Sequence, residues 1–485
     1  MLHHKTLAEL SGMLKNKEIS SVELTTHFLD RIDRFDTDLN SYICVDKKSA
    51  LLAAQNADKA LSAGNAHPLC GIPIAQKDIF TTTDMPTTCG SKMLQGYMSP
   101  FDADLVHQSR QAGMVMLGKT NMDEFAMGGS NENSYYGAVK NPWNHDKVPG
   151  GSSGGSSACV AARLAPCASG TDTGGSIRQP AAYTGITGIK PTYGRISRYG
   201  MVAFSSSLDQ AGPMTLSAYD AAMLLNVWSG HSDSDFTSSY IATVDFTRHL
   251  NQPIAGMKIG VPSEFFGQGI EPDVARIVHE GIKQLEKLGA TIKEVHIPHL
   301  KYSVPAYYII APSEASSNLA RYDGVRYGYR CNNPQSLDDL YCRTRAEGFG
   351  DEVKRRILVG TFAMSSEYND MFYGKAQAVR QLIRNDFITA FSDVDAIVGP
   401  TTTTPAFNIG EKLNDPVAMY QNDIYTISAN LAGIPAMSVP CGFINGMPVG
   451  MQIIGNRFEE ETILRLAHHY QLATDWHTHI PSLYV

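Results

Sequence analysis

The chain has 485 residues, of which 43% are hydrophobic and 18% are charged, and its formal net charge is −8. This composition is typical of a globular protein, and no apolar run reaches the ~18 residues needed to cross a bilayer. The negative charge argues against a protein dedicated to binding nucleic acid, although a local basic patch is compatible with it.

Amphipathic helices are predicted at the N-terminus, over about residues 1–65. Ser20 and Glu23 form a capping-box pattern, and Leu24 and Phe28 follow at helical spacing. The same stretch lacks the apolar core and the small-residue cleavage site of a signal peptide. We therefore expect a cytoplasmic protein, or a protein of an organellar matrix if it is imported in a eukaryote.

The eight cysteines are scattered along the chain, and no two of them form a CxxC pair. Disulfide frameworks and zinc knuckles use closely spaced cysteines, so the pattern predicts reduced and mostly buried thiols. The cysteines are Cys44, Cys70, Cys89, Cys159, Cys167, Cys331, Cys342 and Cys441.

Short apolar runs that end at Gly or Pro alternate with helical stretches from about residue 70 onwards. Two of these runs, "GIPIAQKDIF" and "GMVMLGKT", are typical of buried strands, and Met122–Met127 has a helical pattern. Alternation of this kind indicates an α/β fold. The core of the fold is expected at about 70–225.

The stretch between Trp228 and Gly256 is rich in Ser, Asp and Thr and is the best internal boundary. It fits an interdomain linker and a long surface insertion within one domain equally well. The part that follows, about 257–485, again predicts alternating elements. They are strands in "MKIGVP" and "ATIKEVHIP", a helix over Val274–Leu288, strands over Val394–Val398, Ala436–Val439 and Val449–Ile454, and a last helix over Glu460–Leu472.

A glycine and serine block, "GGSSGGSSA", occupies residues 150–158. A linker is excluded because an apolar, Ala-rich stretch follows at once. Ser152 and Ser153 each fit the GxSxG elbow of α/β-hydrolases, but the elbow needs a strand before it, and "NPWNHDKVP" is typical of turns. A phosphate loop would need a Gly-Lys-Ser/Thr ending, which is absent from this block.

A second Gly-Ser motif, "GTDTGGSIRQPA", contains Ser176. Glycines beside a serine let backbone N–H groups point at a developing negative charge, as acyl transfer requires. Tight turns between strands and helices use the same residues, so the pair Ser152 and Ser176 also fits a purely structural role.

The segment from 150 to 191 resembles the signature segment of the amidase signature family of Ser-Ser-Lys hydrolases. Upstream, "GIPIAQKDIF" resembles the strand of that family that carries a lysine, here Lys77. Lys77 lies in a buried-strand pattern, and burial without a carboxylate partner would lower its pKa towards that of a neutral amine. The resemblance implies a single domain over 1–485, an α/β amidase signature fold with a large mixed central β-sheet covered by helices on both faces.

The resemblance also implies a mechanism, in which Ser176 is the nucleophile and Ser152 relays its proton to neutral Lys77. In the family the relaying serine follows a cis peptide bond, which here would join Gly151 to Ser152. The remaining serines of the block, Ser153, Ser156 and Ser157, are expected to be structural. The oxyanion hole is implied to consist of the backbone N–H groups of Thr173, Gly174, Gly175 and Ser176.

Longer stretches, among them "NMDEFAMGGSNENSYYGAVKNPWN" and "AMYQNDIYTISANLAGIPAMSVPCG", resemble the branch of the family that supplies ammonia to tRNA-dependent amidotransferases. The substrate implied is glutamine, whose two charged α-groups call for an arginine fork and a carboxylate. By this resemblance Arg356, with Arg355 as the substitute, binds the α-carboxylate, Asp423 binds the α-ammonium, and Tyr307 forms the pocket wall.

The same branch implies a heterotrimer with partner B and C subunits. The B subunit would use ATP and Mg and hold the tRNA, so no cofactor, metal or membrane contact is expected for this chain. A stand-alone amidase of a small carboxamide is the main alternative, and a non-catalytic scaffold protein is a second. A metalloenzyme is a third, for which the candidate ligands are His468, His469, His477 and His479.

Overall fold

The computed structural model describes residues 1–267, 269–413 and 415–485. Within them, eleven strands form one mixed β-sheet. The strands are β1 (Tyr42–Val45), β2 (Pro73–Lys77), β3 (Val115–Thr120), β4 (Cys167–Asp172), β5 (Thr187–Lys190), β6 (Gln210–Thr215), β7 (Lys258–Pro262), β8 (Thr291–Val295), β9 (Ala396–Pro400), β10 (Ala436–Ile444) and β11 (Met447–Gly455).

The strand order across the sheet is β1-β3-β2-β4-β6-β5-β10-β11-β9-β7-β8. Parallel pairs occur at β3-β2-β4 and at β9-β7-β8, and the other neighbours are antiparallel. Every residue of β2, β3, β4 and β6 is buried, which requires cover on both faces of the sheet. The predicted large mixed sheet of an α/β fold is confirmed.

Helices pack against this sheet along its length, and in the described residues there are fifteen α-helices. They are α1 (Leu7–Lys15), α2 (Ser21–Leu39), α3 (Lys47–Ala63), α4 (Asp104–Gln111), α5 (Gly154–Ala161), α6 (Arg178–Thr184), α7 (Ala218–Trp228), α8 (Pro272–Lys287), α9 (Ser303–Asn318), α10 (Leu337–Gly348), α11 (Asp351–Ala363), α12 (Lys375–Ala390), α13 (Pro416–Gln421), α14 (Ile427–Ala432) and α15 (Glu460–Leu472). No helix of the described chain is both long enough and apolar enough to cross a membrane.

Local patterns located several of these elements correctly. The capping box of Ser20 and Glu23 opens α2, since the Glu23 N–H donates to the Ser20 hydroxyl and the Ser20 N–H donates to the Glu23 carboxylate. The final helix has its predicted bounds. Strands β1–β6 precede the polar stretch after Trp228 and β7–β11 follow it, so this stretch connects strands of one sheet.

The helix predicted over Met122–Met127 is wrong. Only a single 3-10 turn forms, over Glu124–Ala126, and Phe125 inside it has a φ of +50°. The cause is a long-range contact, because the Phe125 N–H donates to the carbonyl of Cys89 at 2.9 Å. This turn precedes a loop that packs against the glycine and serine block.

Candidate active site

Lys77 is the last residue of β2, and its side chain is fully buried. Its Nζ lies 2.8 Å from the Oγ of Ser152, 2.8 Å from the Oγ of Ser153 and 2.7 Å from the Oγ1 of Thr171. Within the described residues it forms no ion pair. Burial lowers the pKa of Lys77 to about 7, although the nearby carboxylate of Asp123 opposes this change. The amine is therefore available as a base near neutral pH.

The glycine and serine block forms the turn before α5, and the peptide bond from Gly151 to Ser152 is cis. The Gly151 N–H donates to the Oε1 of Gln179 at 3.0 Å, and the Asp123 N–H donates to the Ser152 carbonyl at 3.2 Å. A Cβ on Gly151 would lie 2.1 Å from the carboxylate of Asp123, so only glycine fits there. These contacts fix the backbone that presents Ser152 to Lys77.

A buried ion pair anchors the loop that carries Ser176. The Arg178 guanidinium, at the start of α6, binds the carboxylate of Asp172 through Nε at 2.9 Å and Nη2 at 3.0 Å. Burial opposes ionisation of Asp172, but the charge of Arg178 prevails and lowers the pKa of this carboxyl to about 2. Arg178 also donates to the carbonyl of Thr426 and to the Oε1 of Gln452, which ties the loop to β11.

The backbone N–H groups of residues 173–176 have no hydrogen-bond partner in the described part of the chain. Side chains around them hold the loop, since Thr173 donates to Asp209 at 2.7 Å and Thr426 donates to the Gly174 carbonyl at 2.7 Å. A Cβ on Gly174 would lie 2.7 Å from the ring of Tyr307, so the loop approaches α9 closely. A run of fixed and unsatisfied donors can stabilise an oxyanion.

Ser176 is the last residue of this run, and 8% of its surface is exposed. Among the described residues its Oγ forms no hydrogen bond, and no contact of this kind links it to Ser152. The structure therefore joins Lys77 to Ser152 but shows Ser176 without the second link of the predicted relay.

Arg356 lies on α11 and is buried, whereas Arg355 on the same helix has a side chain that is 45% exposed. The Arg356 guanidinium lies 5.4 Å from the ring centroid of Phe204, and the rings of Tyr308 and Tyr420 are at similar distances. It lines a cavity of about 230 Å³. Burial and the aromatic surroundings distinguish Arg356 from its exposed neighbour.

Asp423 and Tyr307 lie close enough to Arg356 for its charge to affect their pKa values, although neither residue lines this cavity. Burial raises the pKa of Asp423 to about 7, although the positive charge of Arg356 opposes this change. The Tyr308 hydroxyl is 3.5 Å from the Oδ2 of Asp423. Burial also raises the pKa of Tyr307, whose ring contacts the loop at Gly174. A cation and an ionisable carboxyl thus lie close enough to interact electrostatically, as an amino acid ligand requires.

Several residues at the site had no individual signal in the sequence. Ser153 was expected to be structural, yet its hydroxyl contacts the Lys77 amine as closely as that of Ser152 does. Thr171 follows the alternation of β4, which places it on the same face as Ser169. Asp123 and Gln179 act through long-range contacts, so no local pattern could identify them.

The four candidate metal ligands near the C-terminus do not form a metal centre in the structure. His468 contacts the side chain of Asn251 at 3.1 Å, and His469 contacts the carbonyl of Gln252 at 2.8 Å. Among the described residues, no group of three or more His, Cys, Asp or Glu side chains could hold a metal ion.

This chain is similar in sequence to proteins of a known family. The model of the Amidase family matches residues 23–464. The A subunit of glutamyl-tRNA(Gln) amidotransferase from Nitrosococcus oceani is 59% identical over 483 residues, which cover 100% of both chains. The protein of the same name from Coxiella burnetii is 58% identical and covers 99% of this chain and 100% of its own.

Solved structures agree with this result. The A subunit of glutamyl-tRNA(Gln) amidotransferase from Thermotoga maritima is 42% identical, with a TM-score of 0.80 over 96% of this chain and 94% of that one. The native peptide amidase of Stenotrophomonas maltophilia is 32% identical, with a TM-score of 0.81 over 96% of each chain.

Proposed function

This chain belongs to the amidase family, and on that premise we propose that it is the glutamine-hydrolysing subunit of a tRNA-dependent amidotransferase. It converts glutamine to glutamate and ammonia through an acyl-enzyme. One observation carries the proposal: the buried Lys77 amine, whose pKa is about 7, contacts Ser152 beside the unsatisfied N–H groups of residues 173–176. A base, a relay and an oxyanion site are the parts that amide hydrolysis needs.

In the first half of the reaction the Ser176 Oγ attacks the side-chain carboxamide carbon of glutamine. Its proton passes through the Ser152 hydroxyl to the neutral Nζ of Lys77, while the N–H groups of Thr173, Gly174, Gly175 and Ser176 stabilise the oxyanion. The proton then returns through Ser152 to the nitrogen of the tetrahedral intermediate. The C–N bond breaks, ammonia leaves, and the glutamyl ester remains on Ser176.

In the second half a water molecule attacks this ester and gives its proton to Lys77 through the same relay. The ester C–O bond breaks, the Ser176 oxygen recovers a proton, and glutamate leaves. All proton transfers use side chains of this chain, so the hydrolysis needs no cofactor here.

Glutamine is held by its α-groups. We assign Arg356 to the α-carboxylate, Asp423 to the α-ammonium and Tyr307 to the wall of the pocket. The buried position of Arg356 supports it over Arg355, because a desolvated guanidinium binds a carboxylate more strongly than one in water does.

The ammonia would serve a partner B subunit, which uses ATP and Mg to activate the glutamate of Glu-tRNA(Gln) and forms Gln-tRNA(Gln). A small C subunit would complete the heterotrimer, and the B subunit would hold most of the tRNA. The full-length relatives, each named as the A subunit of an amidotransferase, support this division. A cytoplasmic location follows from the role of the product in protein synthesis.

The test is glutamine hydrolysis by the full chain, alone and with B and C subunits, ATP and Glu-tRNA(Gln). S176A and K77A should abolish ammonia release and keep the circular dichroism of the wild type. S157A is the matched control, because Ser157 lies in the same block but donates only to the carbonyl of Gly154. Near-normal turnover by S176A or K77A would exclude the mechanism, and activity on simple carboxamides alone would favour a stand-alone amidase.

A further inference from the structure

Glu352, in the first turn of α11, contacts the guanidinium of Arg356. The Arg356 Nε donates to the Oε1 of Glu352 at 2.8 Å. The side chain of Arg356 is 5% exposed and that of Glu352 is 10% exposed. Within the described residues the two terminal nitrogens of Arg356 have no hydrogen-bond partner, and the residue lines the 230 Å³ cavity. Glu352 thus uses only the Nε–H, which leaves the terminal nitrogens for a ligand.

The orientation of Arg356 depends on this contact, because no other hydrogen bond of the described chain fixes the guanidinium in its own plane. Its other neighbours are the rings of Phe204, Tyr308 and Tyr420, with centroids 5.4, 5.5 and 5.7 Å away. Aromatic faces attract a cation but allow it to rotate. A hydrogen bond to the Nε–H is directional and fixes the fork.

Glu352 has two further partners. Arg355 forms an ion pair with its second carboxylate oxygen, and the Tyr420 hydroxyl donates to Oε1 at 3.2 Å. Two guanidinium groups share one carboxylate, so the cluster keeps one net positive charge, which is what a single α-carboxylate needs. Tyr420 also stacks on Tyr308, with ring centroids 3.7 Å apart, so Glu352 connects α11 with α9 and α13.

We propose that Glu352 is a positioning residue of the glutamine site, which holds the Arg356 fork through its Nε–H so that the terminal nitrogens can bind the α-carboxylate. This inference rests on the proposed function, in which Arg356 binds that carboxylate. The role depends on an acceptor oxygen at the Nε–H rather than on the negative charge alone.

Two conservative variants separate the acceptor from the charge. E352Q keeps an oxygen at the position of Oε1 but removes the charge. E352D keeps the charge but withdraws the oxygen by about one bond length, ~1.5 Å. We expect E352Q to keep the KM for glutamine within about threefold of the wild type, and E352D to raise it by about tenfold or more. For both variants kcat should change by less than about threefold.

D273N is the matched control, because Asp273, in the first turn of α8, likewise accepts from an arginine Nε, that of Arg276 at 3.2 Å, but is exposed and does not line this cavity. The rate at which phenylmethylsulfonyl fluoride modifies Ser176 serves as a second readout, since this reagent has no carboxylate for Arg356 to bind. That rate should be the same in the wild type, E352Q, E352D and D273N.

The outcomes are distinct. The positioning role would be overturned if E352D left the KM for glutamine unchanged, or if E352Q raised it as far as E352D does. It would also be overturned if the variants lost kcat and the rate of Ser176 modification to the same extent. In these cases a wild type that hydrolyses glutamine leaves the proposed function standing. A wild type that reacts with the sulfonyl fluoride but not with glutamine would overturn the proposed function, and this inference with it.

Discussion

The pH dependence of glutamine hydrolysis follows from the buried amine of Lys77. Its pKa is about 7, and only the neutral amine can accept the proton of the nucleophile. The neutral fraction is then about a tenth at pH 6, about half at pH 7 and about nine-tenths at pH 8. We therefore expect kcat to rise about tenfold from pH 6 to pH 8 and to level off above that.

In the enzyme without bound glutamine, Asp423 is a second group that ionises in this pH range. Its pKa is about 7, and in the proposed complex the α-ammonium of glutamine would bind the ionised carboxylate and so lower that pKa. In the proposed mechanism Lys77 acts only when neutral and Asp423 only when ionised. Protonation of either group at low pH therefore lowers the activity. Between pH 6 and pH 8 we expect kcat/KM to rise about a hundredfold, against about tenfold for kcat.

The assay is continuous ammonia release from pH 5.5 to 9 at constant ionic strength, with circular dichroism at each pH to exclude unfolding. D423N should raise KM and reduce the kcat/KM profile to one ionisation, while the kcat profile keeps its midpoint. A kcat that is independent of pH between 6 and 8 would refute the assignment of Lys77 as the base. A kcat/KM profile of the wild type with one ionisation would refute the role of Asp423.

Three further changes test the site. Gly174→Ala should lower kcat/KM by about a hundredfold in an ammonia assay, because the new Cβ would lie 2.7 Å from the Tyr307 ring and displace the oxyanion loop; wild-type activity would show that the loop tolerates this shift. Arg356→Ala should raise the KM for glutamine about a hundredfold, whereas Arg355→Ala should change it less than about threefold; the reverse order in steady-state kinetics would exchange their roles. Ser153→Ala should lower kcat roughly tenfold at unchanged KM, since it removes one of the three hydroxyls around the catalytic amine; an unchanged kcat would return this serine to a structural role.

Local patterns predicted the parts of the fold that depend on neighbours in sequence. The capping box of Ser20 and Glu23, the amphipathic helix Glu460–Leu472 and the apolar run ending at Lys77 all form as predicted. In each case the deciding interactions are within a few residues or with a generic apolar surface. The strand order could not be obtained in this way, because β5 pairs with β10 across more than half of the chain.

The residues of the candidate site likewise differ in whether a local sequence pattern identifies them. Ser152 and Ser176 stand in glycine-rich motifs, which mark them locally, and Lys77 stands in an apolar run, which marks its burial. No local pattern identifies Glu352, because a glutamate near two arginines on a helix most often forms a solvent-exposed ion pair. What distinguishes it is its burial and its contact with the Tyr420 hydroxyl, which the fold brings from a distant part of the chain.

The burial of Lys77 at the end of β2 has a thermodynamic consequence. Burial lowers its pKa from 10.5 to about 7, so the folded state binds fewer protons than the unfolded state between these values. The lowered pKa therefore destabilises the folded state. The cost in free energy of folding is largest below pH 7, at about 5 kcal/mol, and disappears as the pH rises to the pKa of the unfolded state. A cost of that size approaches the whole stability of many domains. The fold can tolerate this penalty because β2 lies between β3 and β4, and every residue of these three strands is buried.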